Sequence, residues 1–315
     1  MELAIRVKEV KKTFHVGIQD IEVLKGITFN VEKGDFVIII GPSGCGKSTL
    51  LHTILGLEGP SSGIVEILGE NLYDNHDEDY RSEFRKKHIG MIYQQPNWIK
   101  SLTVVENVSF PLSLLGVRKD LALVKAWEAL AQIGMKNWSN HGPTELSSGQ
   151  QQKVALARAL ITDAQIIVAD EPTGNLDYTS GQDLMNLMVE LNKKGKTIVM
   201  VTHDLEYLKY SKTAVRMLDG KVEGIYRGEE KAVLESNVKL KRVENEDAKV
   251  SIGDAPIDSA DFKKDKESFT ETKNDEKMTE EAKPPLMPEA KSSEETLTKV
   301  DNIIKVKQEV KTNAG

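Results

Sequence analysis

The run GPSGCGKST, Gly41 to Thr49, follows directly on the apolar stretch Phe36 to Ile40 and leads into Lys47 to Leu55, whose Leu50, Leu51 and Ile54 share one side of a helix. A β-branched strand, a glycine-rich turn and a helix in immediate succession require an α/β frame with the turn open at a helix N-terminus. Gly41, Gly44 and Gly46 leave room for consecutive backbone N–H groups to turn inward on an anion, with Pro42, Ser43, Cys45 and Thr49 completing the loop. Lys47 adds a point charge near the β- and γ-phosphates of a nucleotide, and the Ser48 hydroxyl is offered to Mg²⁺.

The rest of the chain agrees with such a frame. Strands are expected at Ala4 to Val10, Glu22 to Val31, Ile89 to Tyr93, Ile166 to Ala169, Thr197 to Val201 and Ala214 to Leu218, with a short strand pair around Gly63 to Leu68. Helices are expected at Tyr80 to Lys87 and Ser180 to Leu191, an alternation that predicts a mostly parallel sheet. Between them Val104 to Leu115, Leu121 to Ile133 and Ser148 to Ile161 all read as helices, broken at Gly116, Gly134 and Gly142-Pro143. A helical insert over about residues 95–160 therefore interrupts an α/β domain spanning residues 1–227.

From Gly228 onward aromatic residues are few, and about five of the chain's seven net negative charges accumulate in a Lys- and Glu-rich stretch. Residues 228–315 are expected to be a disordered tail. Leu297, Val300 and Ile304, and Val310 weakly, are spaced as one helical face within 294–310, either a docking helix or residual hydrophobicity. The longest apolar run is Phe36 to Ile40, far short of the ~20 residues of a membrane helix, and no charged-then-apolar leader precedes it. A soluble chain is expected, with any membrane role supplied by a partner. Forty-nine acidic against 42 basic residues, net −7, argue against an electrostatic nucleic-acid binder. Cys45 is the only cysteine, which fits a reducing cytosol. It is either a thiol activated at a helix N-terminus or a small residue filling the loop.

Three further strings carry chemistry. In LSSGQ, Ser147 is placed to cap a helix with Gln150 closing the capping box; with Gly149 beside it, the same turn is an anion site. IIVADE, Ile166 to Glu171, is an apolar strand ending in two carboxylates at the edge where open α/β sheets bind ligands. Asp170 there suits Mg²⁺ through water, and Glu171 suits a water being activated for attack on a γ-phosphate. VMVTHD ends another strand with His203, either a structural histidine or a donor to that phosphate.

Over Met1 to Arg227 these strings together resemble the nucleotide-binding subunits of the ATP-binding-cassette ATPases. GPSGCGKST is similar to Walker A, LSSGQ to the signature sequence and IIVADE to Walker B, with Glu171 as its catalytic glutamate. Asp177 in EPTGNLD resembles the D-loop aspartate, His203 the switch histidine and Gln94 in IGMIYQQPN the Q-loop glutamine; the strand ending at Tyr93 favours Gln94 over Gln95. Phe14 in KKTF takes the place of the aromatic residue that stacks on adenine, with a core aromatic as the alternative. DEPTGNLD and VLKGITF are similar to the lipoprotein-releasing and macrolide-exporting group, with cell-division ATPases as close kin.

The resemblance implies a P-loop fold with an N-terminal antiparallel β subdomain and an inserted helical subdomain. It implies ATP and Mg²⁺ as ligands, the metal held at Ser48, Gln94 and Asp170. It also implies a head-to-tail pair in which Ser147 and Gly149 of one copy close over the nucleotide of the other, and a separate membrane permease that keeps the chain on the inner face of the cell membrane. Export or extraction of lipoprotein, peptide or drug-like substrates is the expected role, and regulatory signalling of the cell-division type the alternative. Translation and repair members would need a second cassette or long coiled coils, and neither is present in this sequence. Two departures stand out: Ser148 where the family usually has glycine, and Trp98 after Gln94, read either as a contact anchor for a partner or as core packing.

Overall fold

The computed structural model describes residues 2–234. In chain order the first half runs β1 (Leu3–Val16), β2 (Gln19–Glu32), β3 (Phe36–Ile40), α1 (Lys47–Ile54), β4 (Ser62–Ile67), β5 (Glu70–Asn71), α2 (Glu78–His88) and β6 (Ile89–Tyr93). The second half runs α3 (Val104–Leu114), α4 (Lys119–Gln132), α5 (Ser148–Leu160), β7 (Ile166–Asp170), α6 (Tyr178–Lys193), β8 (Thr197–Thr202), β9 (Thr213–Leu218) and β10 (Lys221–Arg227). One sheet has the order β2-β1-β4-β5 and is antiparallel; the other has the order β10-β9-β3-β8-β7-β6 and is parallel except for its edge strand β10. The expected α/β frame, antiparallel subdomain and helical insert are all present.

Side chains of the central strands alternate between two cores, as the two-residue period of a strand requires. Val37, Ile39, Val168, Val199 and Val201 point to one face, where α1 and the antiparallel sheet cover them. Phe36, Ile38, Ile40, Ile167 and Met200 point to the other, covered by α5 and α6. All five residues of β3 are buried, each worth about 1.5–3 kcal/mol relative to exposure, so the strand that feeds the glycine loop is anchored on both sides. A third core joins α3, α4 and α5 within the insert. Helix α5 belongs to two of these cores at once: Ala155, Leu156 and Ala159 pack on the sheet, while Val154, Ala157 and Ile161 pack on the insert.

Three features differ from expectation. The β1–β2 hairpin is longer, because β1 passes through a bulge at Glu9 (φ 50°) and continues to a two-residue turn at Gly17-Ile18. Strand β10 is additional to the expected elements; Asp219 and Gly220, at φ 45° and 73°, form the two-residue turn that pairs Leu218 with Lys221. Residues 228–234, assigned by sequence to the tail, are helical. There the Lys231 ammonium is buried and donates to Ser211 O at 2.6 Å, and Leu234 packs on the second core. The rest of the charged stretch, with its candidate helix at 294–310, lies outside the described residues.

Candidate functional site

The pairing register lines up the C-terminal ends of four strands. Tyr93 stands beside Asp170, Asp170 beside Val201, and Ile40 beside Thr202, so Gly41, Gln94, Glu171 and His203 leave one edge of the sheet together. Gly44 and Gly46, at φ 80° and 100°, take a left-handed backbone that other residues rarely adopt, Gly44 at the exposed crown of the loop and Gly46 at the cap position of α1. A β-carbon at Gly44 would meet nothing within 4 Å, so the crown is open to a ligand as well as turned by its glycine. A β-carbon at Gly41 would stand 2.7 Å from Cys45 Sγ and closer still to Met217 O, so this loop lies against β9 only because it has no side chain there. Cys45 is itself packed in the first core, which supports its reading as a filling residue.

Helix α1 has no side-chain cap and no acidic residue in its first turn, so its leading N–H groups are left for an anion. The Lys47 side chain is buried, with its ammonium donating to Gly41 O at 2.8 Å and Pro42 O at 2.9 Å. These are places that phosphate oxygens can take over, and the loop therefore fits a polyphosphate. Ser48 is exposed at the same turn. Phe14, on β1, is half-exposed and belongs to none of the three cores; Lys12 Nζ lies 4.9 Å from its ring centroid.

Asp170 is half-buried at the end of β7. Burial pushes its pKa above the ordinary value of 3.8 and the Glu171 charge adds to this, while His52 and Lys47 pull it down. No hydrogen-bond donor among the described residues neutralises it, which suits an approaching cation. Among the described residues no preformed cluster of three or more His, Cys, Asp or Glu side chains could hold a metal, so a cation here would depend on hydroxyl, amide and phosphate oxygens as well. Glu171 sits at φ 44°, a left-handed backbone unusual for a residue with a β-carbon, held by its N–H donating to Val201 O at 2.9 Å. Its Oε2 lies 3.2 Å from His203 Nδ1, and the imidazole is largely exposed.

Gln94 is exposed, and a β-carbon at Gly174 would stand 2.7 Å from its Nε2, so its side chain lies against the turn that follows Glu171. Asp177 caps α6: its Oδ1 accepts from Ser180 N at 2.9 Å and its Oδ2 from Ser180 Oγ at 2.7 Å, bonds that hold its carboxyl below the usual range. Ser147 forms the expected capping box on α5, with Ser147 N donating to Gln150 Oε1 at 2.9 Å. Ser148 is the first helical residue and is exposed; Gly149 is buried, and a β-carbon there would stand 2.6 Å from Ser180 Oγ.

The structure thus gathers the loop 41–49, Gln94, Asp170, Glu171 and His203 at one edge. It does not bring Ser147 and Gly149 to them, because α1 and α5 pack on opposite faces of the six-stranded sheet. Trp98 fits the core-packing reading: it is half-buried against the second and third cores, its Nε1 donates to Gln151 Oε1 at 2.9 Å, and the Arg158 guanidinium lies 4.5 Å from its ring. Sequence reasoning missed Gln152 and Ser180. For Gln152 the signal was a polar residue in the buried stripe Gly149, Gln152, Leu156 and Ala159 of α5.

A family model described as ABC transporter matches residues 24–174. An uncharacterized ABC transporter ATP-binding protein of Thermotoga maritima is 42% identical over 227 residues, covering 72% of this chain and 97% of the relative. The lipoprotein-releasing system ATP-binding protein LolD of Legionella pneumophila is 42% identical over 204 residues, covering 64% of this chain and 89% of the relative. Among solved structures, a dimeric ATP-binding cassette in a post-hydrolysis state with ADP and Pi is similar with a TM-score of 0.66 and 38% identity, covering 71% of this chain and 98% of that one. The chain belongs to the ABC transporter family, as an ATP-binding and ATP-hydrolysing subunit. Among the described residues no helix is long and apolar enough to cross a membrane.

Proposed function

We propose that two copies of this chain pair head-to-tail around two ATP molecules and drive a separate membrane permease. The observation that carries this is the placement of α1 and α5 on opposite faces of one sheet, which leaves each copy with the phosphate loop of one site and the signature turn of another. Phe14 stacks on adenine. The N–H groups of Gly41 to Thr49 and the Lys47 ammonium hold the phosphates, while Ser147 and Gly149 of the second copy close over them and Asp177 shapes the turn that faces them.

Ser48, Gln94 and, through water, Asp170 would hold Mg²⁺, which when bound supplies charge neutralisation at the β- and γ-phosphates. Glu171 accepts the proton of the attacking water, and His203, already beside Glu171, donates to the γ-phosphate. The permease would place the chain on the inner face of the membrane. The named lipoprotein-releasing relative supports export or extraction over signalling, with lipoprotein, peptide or drug-like molecules as the substrate class.

Glu171→Gln tests the reading. Turnover should fall by about 10²–10⁴-fold, the usual worth of a general base, while size-exclusion chromatography shows an ATP-dependent dimer. Normal turnover in that variant would show that Glu171 is not the base.

A further inference from the structure

Three side chains of α5 close on the segment that follows β6. Gln152 Nε2 donates to Tyr93 O at 3.0 Å and to Gln94 O at 2.8 Å. Gln151 accepts from Trp98, and Arg158 donates to Pro96 O. Of the three, Gln152 is only 3% exposed and alone reaches Gln94 itself. Its amide orientation is fixed by its partners, since a flipped amide would set its oxygen against two carbonyl oxygens. In this orientation Gln152 Oε1 is buried with no partner among the described residues. An apolar side chain of similar size would avoid that unmade bond but would take this donor from both carbonyls, so what the glutamine secures is its link to Tyr93 and Gln94.

We propose that Gln152 is a positioning residue of the ATPase site, tying the backbone of Gln94 to the signature helix so that the Gln94 amide faces Mg²⁺ in step with Ser147 and Gly149. The proposal rests on the reading of Gln94 as a Mg²⁺ ligand. Ser147 and Gln152 are five residues apart, about 7.5 Å along one rigid helix, so a shift of the signature turn against a second copy's nucleotide is carried to Gln152 undiminished. On its other side the Gln94 amide occupies space that Gly174 leaves open, where a β-carbon would stand 2.7 Å from Nε2.

The test uses the full chain carrying Gln152→Leu or Gln152→Met. Calorimetric titration with a non-hydrolysable ATP analogue, with and without Mg²⁺, separates metal positioning from phosphate binding. Affinity without Mg²⁺ should match the wild type, because the loop 41–49 is untouched. The gain in affinity that Mg²⁺ brings should shrink about tenfold, the scale on which a residue orienting a metal ligand acts. Gln94→Ala combined with Gln152→Leu should lose no more of that gain than Gln94→Ala alone.

Should the apolar variants fail to fold, Gln152→Asn keeps the amide but draws it back by one methylene from the two carbonyls, and should show the same loss. A wild-type gain in a folded Gln152 variant, or additive losses in the double variant, overturns the proposal. A wild-type chain whose affinity ignores Mg²⁺ overturns the metal reading of Gln94 first, and this inference with it.

Discussion

The carboxyl group of Asp170 ends a strand whose four preceding residues are all buried, and that burial lifts its pKa. A carboxyl whose pKa is higher folded than unfolded stabilises the fold most while protonated; that contribution is lost as pH rises from the ordinary 3.8 through the raised value. At neutral pH the bare carboxylate therefore weighs against the fold, and Asp170→Asn should raise the melting temperature of the nucleotide-free chain while weakening the Mg²⁺-dependent part of ATP binding. Thermal unfolding at pH 4 and pH 7 checks the sign: the advantage of the variant should be larger at pH 7. An Asp170→Asn chain that melts lower at pH 7 would contradict the assignment. Residues of this kind were legible in the sequence because each sits where a strand or helix ends, so its neighbours in the string are also its neighbours in space. Gln152 and Ser180 were not, because their partners lie far off in the chain: Tyr93 and Gln94 for the one, Gly149 for the other.

At the scale of elements, α5 and α6 meet where Gly149 faces Ser180, and the same serine closes the cap on Asp177. Adding one methyl group at Gly149 forces the helices apart, at a cost of about 1–3 kcal/mol for overpacking. Gly149→Ala should lower the melting temperature by about 2–10 °C in a domain of this size, and Ser180→Gly in the same chain should recover part of the loss. A Gly149→Ala chain that melts with the wild type would show that the contact yields. The helices and parallel strands were readable because their apolar periods are long and unbroken. Strand β10 was hidden by its position at a sheet edge, where Lys221, Glu223 and Arg227 dilute the apolar alternation, although the Asp219-Gly220 turn was a local signal for it. The far half of the β1–β2 hairpin was hidden in the same way, by the polar stretch that carries its bulge at Glu9.

At the scale of the molecule, helix α5 packs both on the sheet and within the insert, so the two bodies share a rod whose first turn is the signature sequence. The six-stranded sheet separates that rod from the phosphate loop, and the separation has a consequence for stoichiometry. Under the proposed head-to-tail pairing each chain holds half of each site, and its activity depends on concentration: dilution below the pairing range should silence it even when every chain is folded and loaded with nucleotide. The halves should also complement one another. Lys47→Ala removes the loop's charge; Ser148→Glu puts a carboxylate at a helix N-terminus, where the fold accepts it but an incoming phosphate does not. Each variant alone should be inactive, and an equal mixture should regain about a quarter of wild-type turnover, because half of the random pairs carry one intact site of two. If the mixture stays as silent as its parts, the two halves are not exchanged between copies.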